Sequence, residues 1–406
     1  MPSPFPSPHP LLPFLLLIST LPSLPHAREL TFPALLPQHQ HQFPQSLQQQ
    51  QPYAAFGNGG QQQPPFQFPH HAFAGLATFA NTAYVDCLAG GGGGGGGDEG
   101  KEVEIEGFDI AFLGAGFDTG VTARPGARYG PRGIRWGSSR MQPDGYSIYT
   151  GKNSYGSWAK VVDCGDAPLT FLDNTVALKQ LDWAHKVVAS RTTNSSVYTT
   201  PRIITLGGDH TTTLSALRST REKWGPVSVI HFDSHIDTWD PEVLGGGISH
   251  YAGVNHGTFL HIAHEEGLIR NTSIHAGIRA PVTRRKGDVR NDIRCGFDMI
   301  KARELDRIGI DGVIERLKKR VAGSRVYISV DIDVLDPAFA PATGTAEPGG
   351  WSTRELLSII DGLTDLDVVG ADVAPIYDNP GETTVLAAAQ VADSLLALMV
   401  QRPVKS

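Results

Sequence analysis

From Phe108 onward, short unbroken apolar runs alternate with stretches in which apolar residues return every three or four positions. The runs at 108–114, 202–207, 227–233, 273–278, 326–331 and 367–373 are apolar or β-branched for most of their length. Their weak polar alternation predicts strands covered on both faces rather than half-exposed ones. Between several of them the spacing is helical. Ala177, Leu178, Leu181, Ala184 and Val188 share one helix face, and Val313, Ile314, Leu317 and Val321 share another. Ser352 and Glu355 make a capping-box pattern ahead of Leu356, Ile359 and Ile360, and 383–400 reads as an Ala/Leu-rich closing helix. Strands alternating with helices predict an α/β fold whose parallel sheet is covered on both faces. In such sheets functional groups gather at the carboxyl ends of the strands.

The first hundred residues follow no such pattern. Residues 11–21 form a short apolar stretch followed by the small Ala27, which resembles a secretory signal peptide over 1–27. Residues 28–101 are a low-complexity segment rich in Gln, Pro and Gly, with an unbroken glycine run from Gly90 to Gly97. Such composition buries too little apolar surface to offset the entropy of ordering it, so a mostly disordered linker is expected, with 73–89 able to make a small docked segment. The folded domain is expected over 102–406. Acceptor triplets for N-glycosylation at Asn194 and Asn271 are compatible with secretion, the alternative location being the cytoplasm.

Composition narrows the function. The chain of 406 residues carries 34 basic and 41 acidic residues, a formal net charge of −7, which argues against a nucleic-acid partner. No apolar run reaches the roughly 18–20 residues that span a bilayer, so no membrane partner is expected. Cys87, Cys164 and Cys295 include no C-x-x-C pair and predict neither a disulfide framework nor a zinc or thioredoxin-like site.

Candidate chemistry stands at three strand ends. One run leads into Gly207-Gly208-Asp209-His210, a second into Asp233-Ser234-His235-Ile236-Asp237, a third into Asp331-Ile332-Asp333. Carboxylates at a buried strand end are costly unless paired or metal-bound. On extended backbone Asp233, His235 and Asp237 would point one way, as would Asp331 and Asp333. With His210 that makes four carboxylates and two imidazoles converging on one point. An oxygen-dominated set suits hard or borderline divalent ions, Mn²⁺ before Zn²⁺, and four carboxylates balance two dications. Two such ions can hold a bridging water as hydroxide near neutral pH.

These three motifs resemble the signatures of the ureohydrolase (arginase/agmatinase) family. Phe117-Asp118-Thr119-Gly120, 124–131 and Pro341-Ala342-Thr343-Gly344-Thr345 add to the likeness, which spans about 108–400. Asn255-His256-Gly257-Thr258-Phe259 resembles the histidine loop of agmatinases rather than arginases. The resemblance implies a three-layer αβα fold, arginase-like, with a parallel central sheet. It also implies two Mn²⁺ per subunit and a homo-oligomer. The substrate would be a small cationic guanidino compound, agmatine or guanidinobutyrate, cleaved to urea and an amine. Carried over, the metal ligands are His210, Asp233, His235, Asp237, Asp331 and Asp333, with Asp233 and Asp237 bridging. His256 is the catalytic residue, a general acid for the leaving amine. His231 is expected to pack behind the ligands.

One departure bears on turnover. Where the family reads Gly-Ala-Asp-Val-Val-Glu-Val-Ala-Pro, this chain reads Gly370-Ala371-Asp372-Val373-Ala374-Pro375. The three absent residues include the glutamate that in the family pairs with the guanidinium. Asp372, Asp378 and Glu382 are the acids nearby, and a transcript error is a further explanation. Gly116, where the family often has Pro, is a smaller departure. Two alternatives to the hydrolase are a metal-binding pseudoenzyme of the same fold and a zinc-dependent deacetylase; the carboxylate-rich third cluster and the lack of an evident catalytic tyrosine count against the deacetylase.

Overall fold

A computed structural model describes residues 73–90, 105–195, 199–284, 286–374 and 382–405. The expected signal peptide, the linker up to residue 72, all but the first glycine of the run, and 375–381 with Asp378 lie outside the described residues.

Among the described residues, nine strands form one parallel sheet: β1 Ala83–Tyr84, β2 Ile110–Ala115, β3 Val161–Asp166, β4 Arg202–Gly207, β5 Ser228–Phe232, β6 Ser273–Ile278, β7 Phe297–Lys301, β8 Arg325–Asp331 and β9 Asp367–Ala374. Their order is β1-β3-β2-β4-β9-β8-β5-β6-β7. The six runs expected as strands are β2, β4, β5, β6, β8 and β9. The other three lie at the two margins, where polar positions interrupt the run: β3 carries Asp163 and Asp166, and β7 exposes Asp298 and Lys301.

Helices α1 (Gly130–Gly137), α7 (Leu305–Arg320), α8 (Thr353–Gly362) and α9 (Glu382–Gln401) cover one face. Helices α2 (Asn174–Ala189), α3 (Thr212–Trp224) and α5 (Phe259–Glu265) cover the other, with α4 (His250–Gly253) and α6 (Gly287–Arg294) in the loops after β5 and β6. The Ser352 side chain accepts from the Glu355 N–H and Glu355 accepts from the Ser352 N–H, so the capping box opens α8 as expected, with Leu356, Ile359 and Ile360 buried. Against the expectation drawn from apolar runs, Thr383–Gln401 is long and apolar enough to cross a membrane; here 72% of that stretch is buried as a core helix.

The two sheet faces differ in chemistry. Ile110, Phe112, Ile204, Leu206, Ile230, Phe232, Ile328, Val330, Ala371 and Val373 all enter one large apolar cluster with α1, α7, α8 and α9. Their neighbours in sequence turn to the opposite face. There, Thr205 pairs with Asp372, Asp372 with Ser329, Ser329 with His231, and His231 with His275. That makes a polar row across five strands, every member at most 1% exposed. One pleat nearer the carboxyl ends, the same face carries Asp331, with Asp233 directly after β5.

The segment before the domain docks on the sheet margin. Phe79 is buried and stacks on Phe112 at 4.1 Å, β1 pairs with β3, and Cys87 is bonded to Cys164 of β3. Arg191 holds the carbonyls of Cys87 and Ala89 at 2.9 and 2.6 Å. The cysteines thus form one bridge where none was anticipated, because a 77-residue separation carries no local sequence signal. Cys295 is free and buried.

Candidate metal centre

Three strand ends are turned by the same device. Asp209 Oδ1 accepts the Thr211 N–H at 2.9 Å, Asp233 Oδ1 the His235 N–H at 2.5 Å, and Asp331 Oδ1 the Asp333 N–H at 2.8 Å. Each is an aspartate closing a turn onto the residue two positions on. The extended geometry expected for 233–237 is therefore corrected: β5 ends at Phe232, and Asp237 has φ +50°, a left-handed conformation that Asp tolerates better than most residues. The carboxylates converge through turns rather than strand alternation.

Convergence centres on two groups that share Asp233. His210, His231, Asp233 and Asp237 offer donor atoms within 4.8 Å of one another, and so do Asp233, His235 and Asp333. Asp331 joins the first group, its Oδ2 lying 3.4 Å from His210 Nδ1; Asp233 and Asp237 carboxylate oxygens lie 3.1 and 3.2 Å from the same nitrogen. His235 Nδ1 is 3.3 Å from Asp233 and 3.1 Å from Asp333. All six expected ligand residues are thus brought together. His231, expected behind them, reaches the first group itself, with Nε2 3.1 Å from Asp233 Oδ2.

The ring of His210 has a readable orientation. Ser329 donates to Asp372 Oδ1 at 2.8 Å, so its oxygen accepts from His210 Nε2–H at 2.7 Å, and Nδ1 faces the carboxylates. Asp372 also accepts from Tyr327 Oη at 2.7 Å and is fully buried. It is committed to the polar row and does not offer a carboxylate to a substrate.

Charge crowding sets the titration. Burial pulls the pKa of His210 down, but bonds to Asp233, Asp237 and Asp331 overcome it and raise the group well above its ordinary value. Burial, then repulsion from Asp233, lifts Asp237 to about 7; burial, then Asp333 and Asp233, lifts Asp331 well above the carboxylate range. Burial lowers His231 to about 3, leaving it neutral. Protons therefore do here the neutralising that divalent cations would do. The oxygen-rich set, the two groups sharing Asp233 and an unpartnered buried Nε2 on His231 all fit a pair of such cations.

His256 is half-buried on the loop between α4 and α5. Its backbone N–H donates to the Gly120 carbonyl at 3.1 Å, and the Gly120 N–H donates to Asp209 Oδ2 at 2.8 Å. Glycine is required at 120, since a Cβ there would lie 2.3 Å from Thr211 Oγ1. Nε2 of His256 accepts from the Thr122 N–H at 3.2 Å, with Thr122 Oγ1 at 2.7 Å. Burial, then the charged His235 and His210, lowers His256 to about 4. A cavity of about 250 Å³ adjoins this loop, lined by Thr119, Thr122, Asn174, Leu244, Tyr251 and Asn255 among others, none of them charged.

Two residues of the site escaped the sequence reading. Glu347 lies 3.8 Å from His235 Nε2, on the loop that follows Thr343-Gly344-Thr345; an acid right after that motif is the signal that was available. Arg279 spreads its guanidinium over the carbonyls of Gly277, Asp333, Val334, Leu335 and Glu347, tying the ends of β6 and β8 to that loop. No local pattern marks such a residue.

Comparison with known proteins agrees with fold and site. The arginase-family profile matches residues 108–397. A Schizosaccharomyces pombe protein named "Putative agmatinase 1" is 49% identical over 348 residues, 82% of this chain and 84% of that protein. The guanidinobutyrase of Pseudomonas aeruginosa is 32% identical, over 80% of this chain and 93% of its own length. The structure of proclavaminate amidinohydrolase from Streptomyces clavuligerus superposes with a TM-score of 0.69 at 29% identity, covering 82% of this chain and 99% of that one. The chain belongs to the arginase family and is a hydrolase of its agmatinase-like branch.

Proposed function

We propose that this protein is a dimetal amidinohydrolase that releases urea from a cationic guanidino compound such as agmatine or guanidinobutyrate, leaving an amine. The carrying observation is the meeting of His210, Asp233, His235, Asp237, Asp331 and Asp333 as two donor groups with Asp233 in common. The names of the related agmatinase and guanidinobutyrase support the substrate class. These six residues would hold the cations, Mn²⁺ by the preference of an oxygen-rich set. A bound pair supplies Lewis acidity and lowers the pKa of water toward neutrality.

The chain's own residues do the rest. The uncharged cavity beside Thr122 takes the remainder of the substrate. His256, neutral with Nε2 turned to Thr122, must rotate off that contact and take up a proton before passing it to the leaving amine. A urea assay of the Mn²⁺-loaded chain on agmatine, guanidinobutyrate and arginine tests the reading. His256→Ala should lower turnover by about 10²–10⁴-fold with metal content unchanged. Urea from none of the three substrates, with two Mn²⁺ bound, would favour the pseudoenzyme.

Two further parts of the reading concern the chain's setting. It folds in an oxidising compartment, which the Cys87–Cys164 bridge supports, and assembles as a homo-oligomer. Thiol alkylation of protein from its native source, followed by mass measurement, tests the first; sedimentation tests the second. Two blocked thiols on Cys87 and Cys164, or a monomer, would contradict them.

A further inference from the structure

The acceptor triplet Asn271-Thr272-Ser273 lies wholly within the described residues, in the turn that leads into β6. Its third residue is spent by the fold. Ser273 is fully buried; its hydroxyl donates to the Arg270 carbonyl at 2.8 Å and accepts the Val229 N–H at 3.0 Å. The middle residue is tied as well, with Thr272 Oγ1 2.5 Å from Ser228 Oγ. Asn271 differs from both. Its backbone carbonyl accepts from Arg320 at 2.7 Å, but the residue is exposed and its amide nitrogen makes no hydrogen bond to the described residues.

An acidic or amide side chain that serves a turn closes a hydrogen bond onto nearby backbone, as Asp233 and Asp331 do. Asn271 closes none among the described residues. Gly296, at φ +92°, sits against it instead: a Cβ there would lie 2.5 Å from Asn271 Cα and 2.9 Å from its Oδ1. The oxygen leans on the glycine, which leaves the nitrogen as the end of the group that no neighbour engages.

Place in the fold counts as much as exposure. Asn271 stands at the amino end of β6, whereas the six donors of the metal centre stand at the carboxyl ends of β4, β5 and β8 of the same parallel sheet. The six residues of β6 separate the two ends by about 20 Å. A bulky, hydrophilic group on Asn271 stays clear of the site.

We propose that Asn271 carries an N-linked oligosaccharide, added before the domain folds. The proposal rests on the oxidising compartment read from the Cys87–Cys164 bridge and names a modification made there. The donor is an oligosaccharide held on a lipid pyrophosphate. The bond from its anomeric carbon to the pyrophosphate oxygen breaks, and the electron pair leaves with the pyrophosphate. The Asn271 amide nitrogen bonds that carbon and gives up one proton. Ser273 fixes the order of events: the hydroxyl that completes the triplet is buried once β6 is paired, so addition precedes folding. The other triplet, at Asn194, runs into residues outside the described ones and has no part in the proposal.

Enzymatic removal of N-linked sugar from native-source protein in heavy-oxygen water tests this, because the sugar-bearing asparagine becomes a labelled aspartate. Peptide mapping should find labelled aspartate at 271, and the intact mass should fall on treatment. Unmodified Asn271 beside an intact Cys87–Cys164 bridge would overturn the proposal and leave the compartment standing. A label at 194 alone would do the same. Unmodified Asn271 with both thiols free would overturn both. In the same host, Asn271→Gln should shed one sugar chain fewer than wild type on treatment; an equal loss of mass from the two would refute the proposal.

Discussion

His185 shows what burial does to a titratable side chain that is not one of the metal-centre residues. It lies on α2 and is 1% exposed; Nδ1 donates to the Leu181 carbonyl at 3.1 Å and Nε2 accepts from Thr205 at 3.0 Å. Desolvation lowers its pKa to about 4. The unfolded chain takes up a proton near pH 6.5 that the folded one refuses until about pH 4. Stability therefore falls as pH drops through that window, by on the order of 3 kcal/mol for this one group. His185→Gln should flatten the melting temperature between pH 6.5 and 4; an unchanged slope would show that other groups set it. At the centre the matching prediction concerns stoichiometry. Asp233→Ala or Asp331→Ala should abolish stoichiometric Mn²⁺ uptake, because the surrounding donors cannot reach the space left. Two Mn²⁺ bound at wild-type affinity in either variant would refute the assignment.

At the scale of elements, the site is three repeats of one motif, an aspartate at a strand end closing a turn on the residue two places on. The sequence shows the aspartates and their spacing, which is why six ligand candidates could be named. It does not show the turn: the left-handed Asp237 and the end of β5 at Phe232 leave no mark in the residue spacing. Strand interiors were legible because they are buried on both faces and apolar at most positions, whereas β3 and β7 were not, since marginal strands keep polar positions, and β1 is only two residues long. On the proposed reading, the fourth strand end is the element on which turnover depends. Asp372 is bonded to Tyr327 and Ser329 in the polar row, so β9 as it stands brings no acid from its described residues to a guanidinium. Inserting Val-Glu-Val after Val373 should raise urea production by about 10²-fold or more with metal content unchanged, the scale of restoring a positioning group. Equal rates before and after would show that another acid already serves.

For the whole molecule, the segment expected to dock at 73–89 does so, and what was least legible beforehand is its anchors, because they are distant partners. Phe79 finds Phe112, Arg191 finds two carbonyls, and Cys87 finds Cys164 across 77 residues. Cys87→Ser should lower stability by about 2–4 kcal/mol, read as an earlier chemical-denaturation midpoint, and leave Mn²⁺ binding intact. A loss of metal would mean that the segment supports the centre as well as the margin. The polar row has a consequence for protein engineering. The three ligand-bearing turns could be transplanted onto another parallel sheet of the same curvature, and the graft would look complete. It would leave behind Ser329, Asp372, His231 and His275, which orient the imidazoles from beneath. A recipient sheet with the usual aliphatic residues at those four positions would hold the turns and misdirect the rings. The portable unit of this catalyst is one whole side of a sheet.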